Sequence, residues 1–399
     1  MKSFYFLLFF QFGFCSIHGQ NRDTIAVFKK DSLFRTKGAL AYLNFGLGED
    51  RLGGAKMGYV DSLVLLRATG KYKEQYQIKL TPTLSAWIPA QLVKKDSTSK
   101  VPVQYLTSNW RVWGDDENDY VSIPLPEKLP YQSWQEINPA KLVIDIFGAT
   151  TNTNWITQLS TATEIENVDY QQVANEQLRI TIQLKHQNHW GYAIGYQGRR
   201  LVISIKHQPE KLKLKHLRVA IDAGHGGTNL GACGLRTNLC EKVLNLLIAQ
   251  KLKAELEDRG ATVIMTREKD TLFNNSDRIL WLRQQKPDIL VSIHNNASAD
   301  TVKIKGTSTY YKHLGFRPLS QSVLKRMLEL GLDEYGNIGR FNFALNSPTE
   351  YVNVLVEGAF LSHPEDEAKL NQPQFQQLMA EKIAKGIEDW LKIDRKSVV

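Results

Sequence analysis

Hydrophobic and polar positions change rhythm twice along the chain. Phe4 to Phe14 is almost wholly apolar. From about residue 40 to residue 206 the recurring pattern has period two, the spacing of a strand with one buried face. It is clearest in Leu178-Arg179-Ile180-Thr181-Ile182-Gln183-Leu184 and in Leu201-Val202-Ile203-Ser204-Ile205. Leu63 to Leu66, Tyr76 to Leu80, Ala86 to Pro89 and Lys141 to Phe147 also read as strands, with Gly53-Gly54, Gly58 and Gly70 as turns. After the Lys-rich link His207 to His216 the rhythm becomes α/β. Leu217 to Ile221, Ala261 to Met265, Ile289 to Ile293, Thr307 to Tyr311 and Val352 to Val356 are buried-strand runs. Lys242 to Asp258 places Leu244, Leu247, Ile248, Leu252 and Leu256 at helical spacing ahead of Gly260, and Ser276 to Gln285 is a second helix. The alternation predicts a mostly parallel sheet flanked by helices.

These rhythms divide the 399 residues into an α/β domain preceded by two small all-β modules. The expected boundaries are a leader at 1–19, a β module at 20–112, a second at 113–208 and the α/β domain at 209–395. Lys2, the apolar run and the small or polar residues Ser16 to Gln20 form the three-part pattern of a secretory signal peptide. The run is too short to span a bilayer comfortably, and no other apolar run reaches membrane length. The expected product is a secreted, periplasmic protein with no integral span after cleavage.

Composition changes this picture little. At 42% hydrophobic and 23% charged residues the chain is an ordinary globular one. Net charge is +9, and losing Lys2 with the leader leaves +8. A basic secreted protein is drawn to acidic polymers such as cell-wall material. The charge is spread along the chain and no RNA- or DNA-binding motif accompanies it, so no nucleic-acid partner is expected. Beyond the leader only Cys233 and Cys240 remain, seven positions apart. Export permits a disulfide between them, which would stabilise by roughly 2–3 kcal/mol in the chain-entropy account. Two free thiols are the other reading.

Four polar residues occupy positions where an α/β sheet builds a site. His225 follows the strand ending at Ile221, His294 follows Ile289–Ile293, and Glu357 follows Val352–Val356. Ligands in such sheets bind beyond the carboxyl ends of strands. Glu241 opens the Lys242 helix, where the helix dipole favours a carboxylate. Two His and one Glu are a frequent ligand set for catalytic zinc, leaving one position open, and a further carboxylate is then available as base. The glycines of Asp222-Ala223-Gly224-His225-Gly226-Gly227 permit a tight turn there, and no G-x-G-x-x-G or Walker pattern makes them a phosphate cradle.

Residues 217 to 392 resemble the zinc-dependent N-acetylmuramoyl-L-alanine amidases. The matching pieces are Asp222 to Gly227, Gly231-Ala232 followed by Glu241-Lys242, Val291-Ser292-Ile293-His294, and Val356-Glu357 leading to Phe360-Leu361-Ser362. The resemblance implies His225, Glu241 and His294 as zinc ligands and Glu357 as catalytic base. It departs at Asn295, where the family usually has Ala, at Gly358-Ala359, and at His363 in place of a common Asn. Asn295 and Arg340 are expected to contact substrate, with a structural ion pair as the other reading of Arg340. Some relatives carry a long helical insertion after the second histidine that covers the zinc. The short stretch from Ala297 to Thr307 has no room for it, so an open site is expected. Residues 40 to 95 resemble a bacterial SH3-like barrel. Residues 115 to 206 resemble the β-sandwich module that often precedes cell-wall amidases, so envelope proteins are expected partners of these modules, with peptidoglycan as substrate.

The implied reaction is hydrolysis of the amide between N-acetylmuramic acid and L-alanine, during wall remodelling or daughter-cell separation. A zinc peptidase acting within the stem peptide, or a non-catalytic wall-binding regulator, are the alternatives. No Ser lies in a G-x-S-x-G elbow.

Overall fold

A computed structural model describes residues 25–48, 52–100 and 104–396. The expected leader lies outside the described residues. Strands between Ala26 and Lys95 form one antiparallel seven-stranded sheet. The next region packs a five-stranded sheet, which includes Trp110–Gly114 and Arg200–Lys206, with a four-stranded one that includes Lys141–Phe147 and Gln177–Leu184. In Gln177–Leu184 every second side chain is buried, as the period-two pattern requires.

The expected boundary at 112/113 is displaced. It would cut the strand Trp110–Gly114, whose residues pair with Asn118–Pro124. Nor are the two β regions separate cores: Leu43 and Ile78 from the first share one apolar cluster with Ile144 and Ile180 from the second. Arg35 ties them at the rim, reaching Glu127 at 2.8 Å and Asp96 at 2.9 Å.

The C-terminal half is a six-stranded mixed sheet. Its strands are β1 (Arg218–Ala223), β2 (Thr262–Met265), β3 (Ile289–Asn296), β4 (Thr307–Tyr310), β5 (Glu334–Ile338) and β6 (Val352–Phe360). The order across the sheet is β2-β1-β3-β6-β4-β5. The pairs β1–β2, β1–β3, β3–β6 and β4–β5 are parallel, and β4–β6 is antiparallel. Five helices accompany them: α1 (Glu241–Asp258), α2 (Asn275–Gln285), α3 (Arg317–Met327), α4 (Pro364–Leu370) and α5 (Pro373–Lys396).

Strand alternation splits this sheet between two cores. Val219, Ile221, Ile289, Val291 and Ile293 face α1, α3 and α5. Ala220 and Leu290 face the other way, onto Ile279 and Leu282 of α2. One helix does not cover that second face, and Leu40 and Tyr59 of the first β region pack against it. Helix α1 buries Leu244, Ile248, Leu252 and Leu256 along one stripe, while Leu247 points outward at 38% exposure. Gly260, at φ +85°, ends the turn beyond the helix. Trp190 packs against Trp390 of α5, ring centroids 5.0 Å apart and tilted by 41°, and joins the second β region to this domain. No helix among the described residues is long and apolar enough to cross a membrane.

Candidate metal centre

His225 sits in the turn after β1 with φ +61°, a left-handed conformation that non-glycine residues seldom adopt. The turn is braced from beneath by two buried arginines. Arg278 of α2 pairs with Asp222 at 2.7 Å and donates to the carbonyls of Ala223 and His225. Arg267, after β2, donates to the carbonyls of Ala223 and Gly224. Asp222 and Arg278 are 0% and 2% exposed, so each charge depends on the other.

Glu241, the first residue of α1, is the hub. Its Oε1 lies 3.1 Å from His225 Nε2 and 2.8 Å from His294 Nδ1. Oε1 also accepts the Asn295 N–H at 3.2 Å, and Oε2 accepts the Ala232 N–H at 3.0 Å. Burial opposes ionisation of this carboxyl, but the bonds with His225 and His294 outweigh it and hold the group well below the usual carboxylate range. Burial also disfavours the charged form of His225, and again the bond with Glu241 prevails and raises its pKa. His225 Nδ1 is 2.9 Å from Asn229 Oδ1. With its Nδ1–H donated there, Nε2 is the nitrogen left for a metal, which would take the place of the proton shared with Glu241.

One ligand atom from each of His225, Glu241 and His294 falls within 4.8 Å of the others. Two imidazole nitrogens and a carboxylate oxygen converging this closely fit a divalent transition metal. Glycine makes the approach feasible. A Cβ on Gly224 would lie 2.3 Å from His294 Cε1, and one on Gly231 would lie 2.5 Å from Glu241 Oε2.

Glu357, 6% exposed, shares an open cleft of about 540 Å³ with the three ligand candidates. The structure revises how it gets there. Neither His294 nor Glu357 follows its strand; β3 runs on to Asn296 and β6 to Phe360, with His294 and Glu357 paired across them. Pairing persists because β4 adds to the far side of β6, with Ser308 opposite Glu357.

The two expected substrate contacts divide: Asn295 lines the cleft, with its amide held by α1, and Arg340 does not. The Asn295 side chain is 1% exposed and donates to Asn245 Oδ1 at 2.9 Å, so it braces α1 against β3. Arg340 is exposed, has φ +55°, and does not line the cleft. Nor does His363, which precedes α4. Phe343, three residues after Arg340, does line it, its ring nearly parallel to that of His294 at 6.4 Å and 14°. Residues 297–306 contain no helix, and Ala297 lines the cleft. Cys233 and Cys240 are joined as a disulfide directly before Glu241. Within that loop, Ala232 and Glu241 exchange backbone as well as side-chain hydrogen bonds.

Residues 219–389 match the family model of N-acetylmuramoyl-L-alanine amidases. The chain belongs to that family through this domain. Residues 109–205 match the AMIN domain. Among curated relatives, the probable cell wall amidase LytH of Staphylococcus saprophyticus is 30% identical over 198 residues, 49% of this chain and 66% of that protein. LytH of Staphylococcus aureus is 28% identical over 210 residues, 52% of this chain and 70% of that protein. Among solved structures, the catalytic domain of the amidase CwlV from Bacillus (Paenibacillus) polymyxa var. colistinus is 32% identical. That match covers 44% of this chain and 99% of the other, with a TM-score of 0.42. The amidase domain thus carries all three ligand candidates and Glu357, and its partner AMIN domain is that of a cell-wall protein outside the cytoplasm.

Proposed function

We propose that the chain hydrolyses the amide between N-acetylmuramic acid and L-alanine in peptidoglycan, with zinc held by His225, Glu241 and His294 and with Glu357 as base. The convergence of those three donors beside Glu357 in one cleft carries the reading.

Zinc, when bound, supplies a Lewis acid for the scissile carbonyl and lowers the pKa of water. The protein's own work is positional. His225 and His294 present ring nitrogens, and Glu241 is anchored on both carboxylate oxygens, so none needs to reorganise when substrate enters. The Glu357 carboxylate takes a proton from the attacking water and passes it to the departing L-alanine nitrogen. Phe343 beside His294 offers an apolar wall to the substrate.

Secretion to the periplasm through the leader at 1–19 accords with a basic chain and a disulfide. The first β region reads as an SH3-like module. Together with the AMIN domain it would hold the enzyme to wall or envelope proteins. The deciding experiment is digestion of purified peptidoglycan with and without chelator, read by mass spectrometry. Intact stem peptides beginning with L-alanine, released only without chelator, are expected. Fragments cut inside the stem would overturn the bond assignment.

A further inference from the structure

A second cavity, of about 160 Å³, lies where the two β regions meet the amidase domain. The segment 343–347 divides it from the metal-centre cleft: Phe343, Ala344 and Leu345 face the cleft, and Ser347 faces the cavity. Lys56 enters the cavity from the first sheet and Lys312 from the residues after β4.

These two lysines have no obvious reason to be together. Lys312 Nζ has one hydrogen bond, to Ser347 Oγ at 3.4 Å. Lys56 Nζ lies over the Tyr42 and Tyr59 rings at 4.7 and 5.0 Å. Among the described residues, the charge acting on Lys312 is that of Lys56, another cation. Burial, with that like charge, pushes Lys312 down to about 7, and burial lowers Lys56 as well. The acids of the cavity wall are engaged elsewhere. Glu350 pairs with Arg283 at 2.6 Å, and Asp61 accepts the Tyr196 N–H. Both lysines are half-buried, ammonium groups so withdrawn from water without a counter-charge are costly, and an incoming anion would relieve both at once. Ser133 and Tyr192 hydroxyls add polar partners, and Met57 and Ile194 add apolar surface beside them.

We propose that this junction cavity binds the free carboxylate end of a short peptide, with Lys56 and Lys312 supplying the counter-charge and the apolar patch taking a small side chain. The site is distinct from the amide-hydrolysing cleft, and its existence does not rest on the reading of that cleft.

The test is calorimetric titration of the full chain with N-acetyl-D-alanyl-D-alanine, its C-terminal amide, N-acetyl-L-alanyl-L-alanine and inorganic phosphate. One or both free acids should bind, with the amide at least roughly tenfold weaker, as expected when a buried charge pair loses one member. Preference for the D acid points to a wall stem peptide as source, and preference for the L acid to a protein C-terminus. Lys56→Met and Lys312→Met should each weaken the acids by a similar factor, while Glu357→Gln should bind as the parent does. Lys312→Met removes a half-buried charge without a counter-charge and should melt no lower than the parent. If a variant does not fold, the comparison of acid with amide on the parent protein still decides. Equal binding of acid and amide, phosphate bound as tightly as either acid, or no binding at all would overturn the proposal.

Discussion

His294 and Glu357 are register partners on the adjacent parallel strands β3 and β6. Residues paired this way leave a sheet on the same side, and both side chains line one cleft with His225 and Glu241. The relationship separates two roles, since His294 contacts Glu241 and Glu357 shares the cleft with both.

Glu357→Gln should therefore keep the ligand set intact and lose turnover. We expect metal content per chain to be unchanged and kcat on peptidoglycan to fall by ~10²–10⁴, the range for loss of a general acid-base group. Elemental analysis alongside product release checks both halves. Near-parental activity would remove Glu357 from the mechanism.

The buried pair Asp222–Arg278 supports the His225 turn. Arg278→Met should destabilise the fold by about 3–5 kcal/mol, because it strands Asp222 as an unpaired buried charge. Chemical denaturation monitored by circular dichroism measures it. The double variant Asp222→Asn, Arg278→Met should regain part of that loss, and if it is no better than the single variant the pairing argument fails.

Reduction of Cys233–Cys240 should loosen the loop that orients Glu241. We expect roughly 2–3 kcal/mol less stability and weaker metal retention during dialysis against a mild chelator. The Cys233→Ser, Cys240→Ser variant should behave the same way in the absence of reductant. Unchanged metal retention in both would confine the disulfide to a stability role.

His189 is 3% exposed, with its Nε2 2.8 Å from the Glu136 carbonyl. Burial pushes its pKa down to about 4. Below the unfolded value near 6.5, the unfolded chain takes up a proton that the folded one refuses, so stability falls as pH drops from about 6.5 towards 4 and the effect levels off below that. His189→Gln should flatten this part of the stability profile by up to ~3 kcal/mol relative to the parent. Urea midpoints at pH 7 and pH 4.5 provide the comparison, and parallel profiles would exclude His189 as the source.

Much of the architecture was legible because it depends on local periodicity. Gln177–Leu184 alternates in sequence and in burial, and α1 shows its stripe in both. The strand limits were less legible. Hydrophobic runs end at Ile293 and Val356, yet pairing carries polar His294 and Glu357 inside the strands, because neighbouring strands continue to satisfy their backbone groups. The boundary before Trp110 depended on a partner strand, which composition does not reveal. No motif marks Arg267 or Arg278, and only folding shows them beneath the His225 turn. Phe343 had no motif to mark it.

The sequence by itself determined the order of rhythms, the glycines that permit close approach, and the identities of His225, Glu241, His294 and Glu357. These are local or covalent properties, written residue by residue. Tertiary structure decided that the Asn295 amide is held by Asn245 at the cleft wall, that Arg340 stays outside the cleft, and that Lys56 meets Lys312 across a junction. Such outcomes depend on which distant side chains compete for the same space and the same hydrogen bonds, and that competition arises only when the sheets pack.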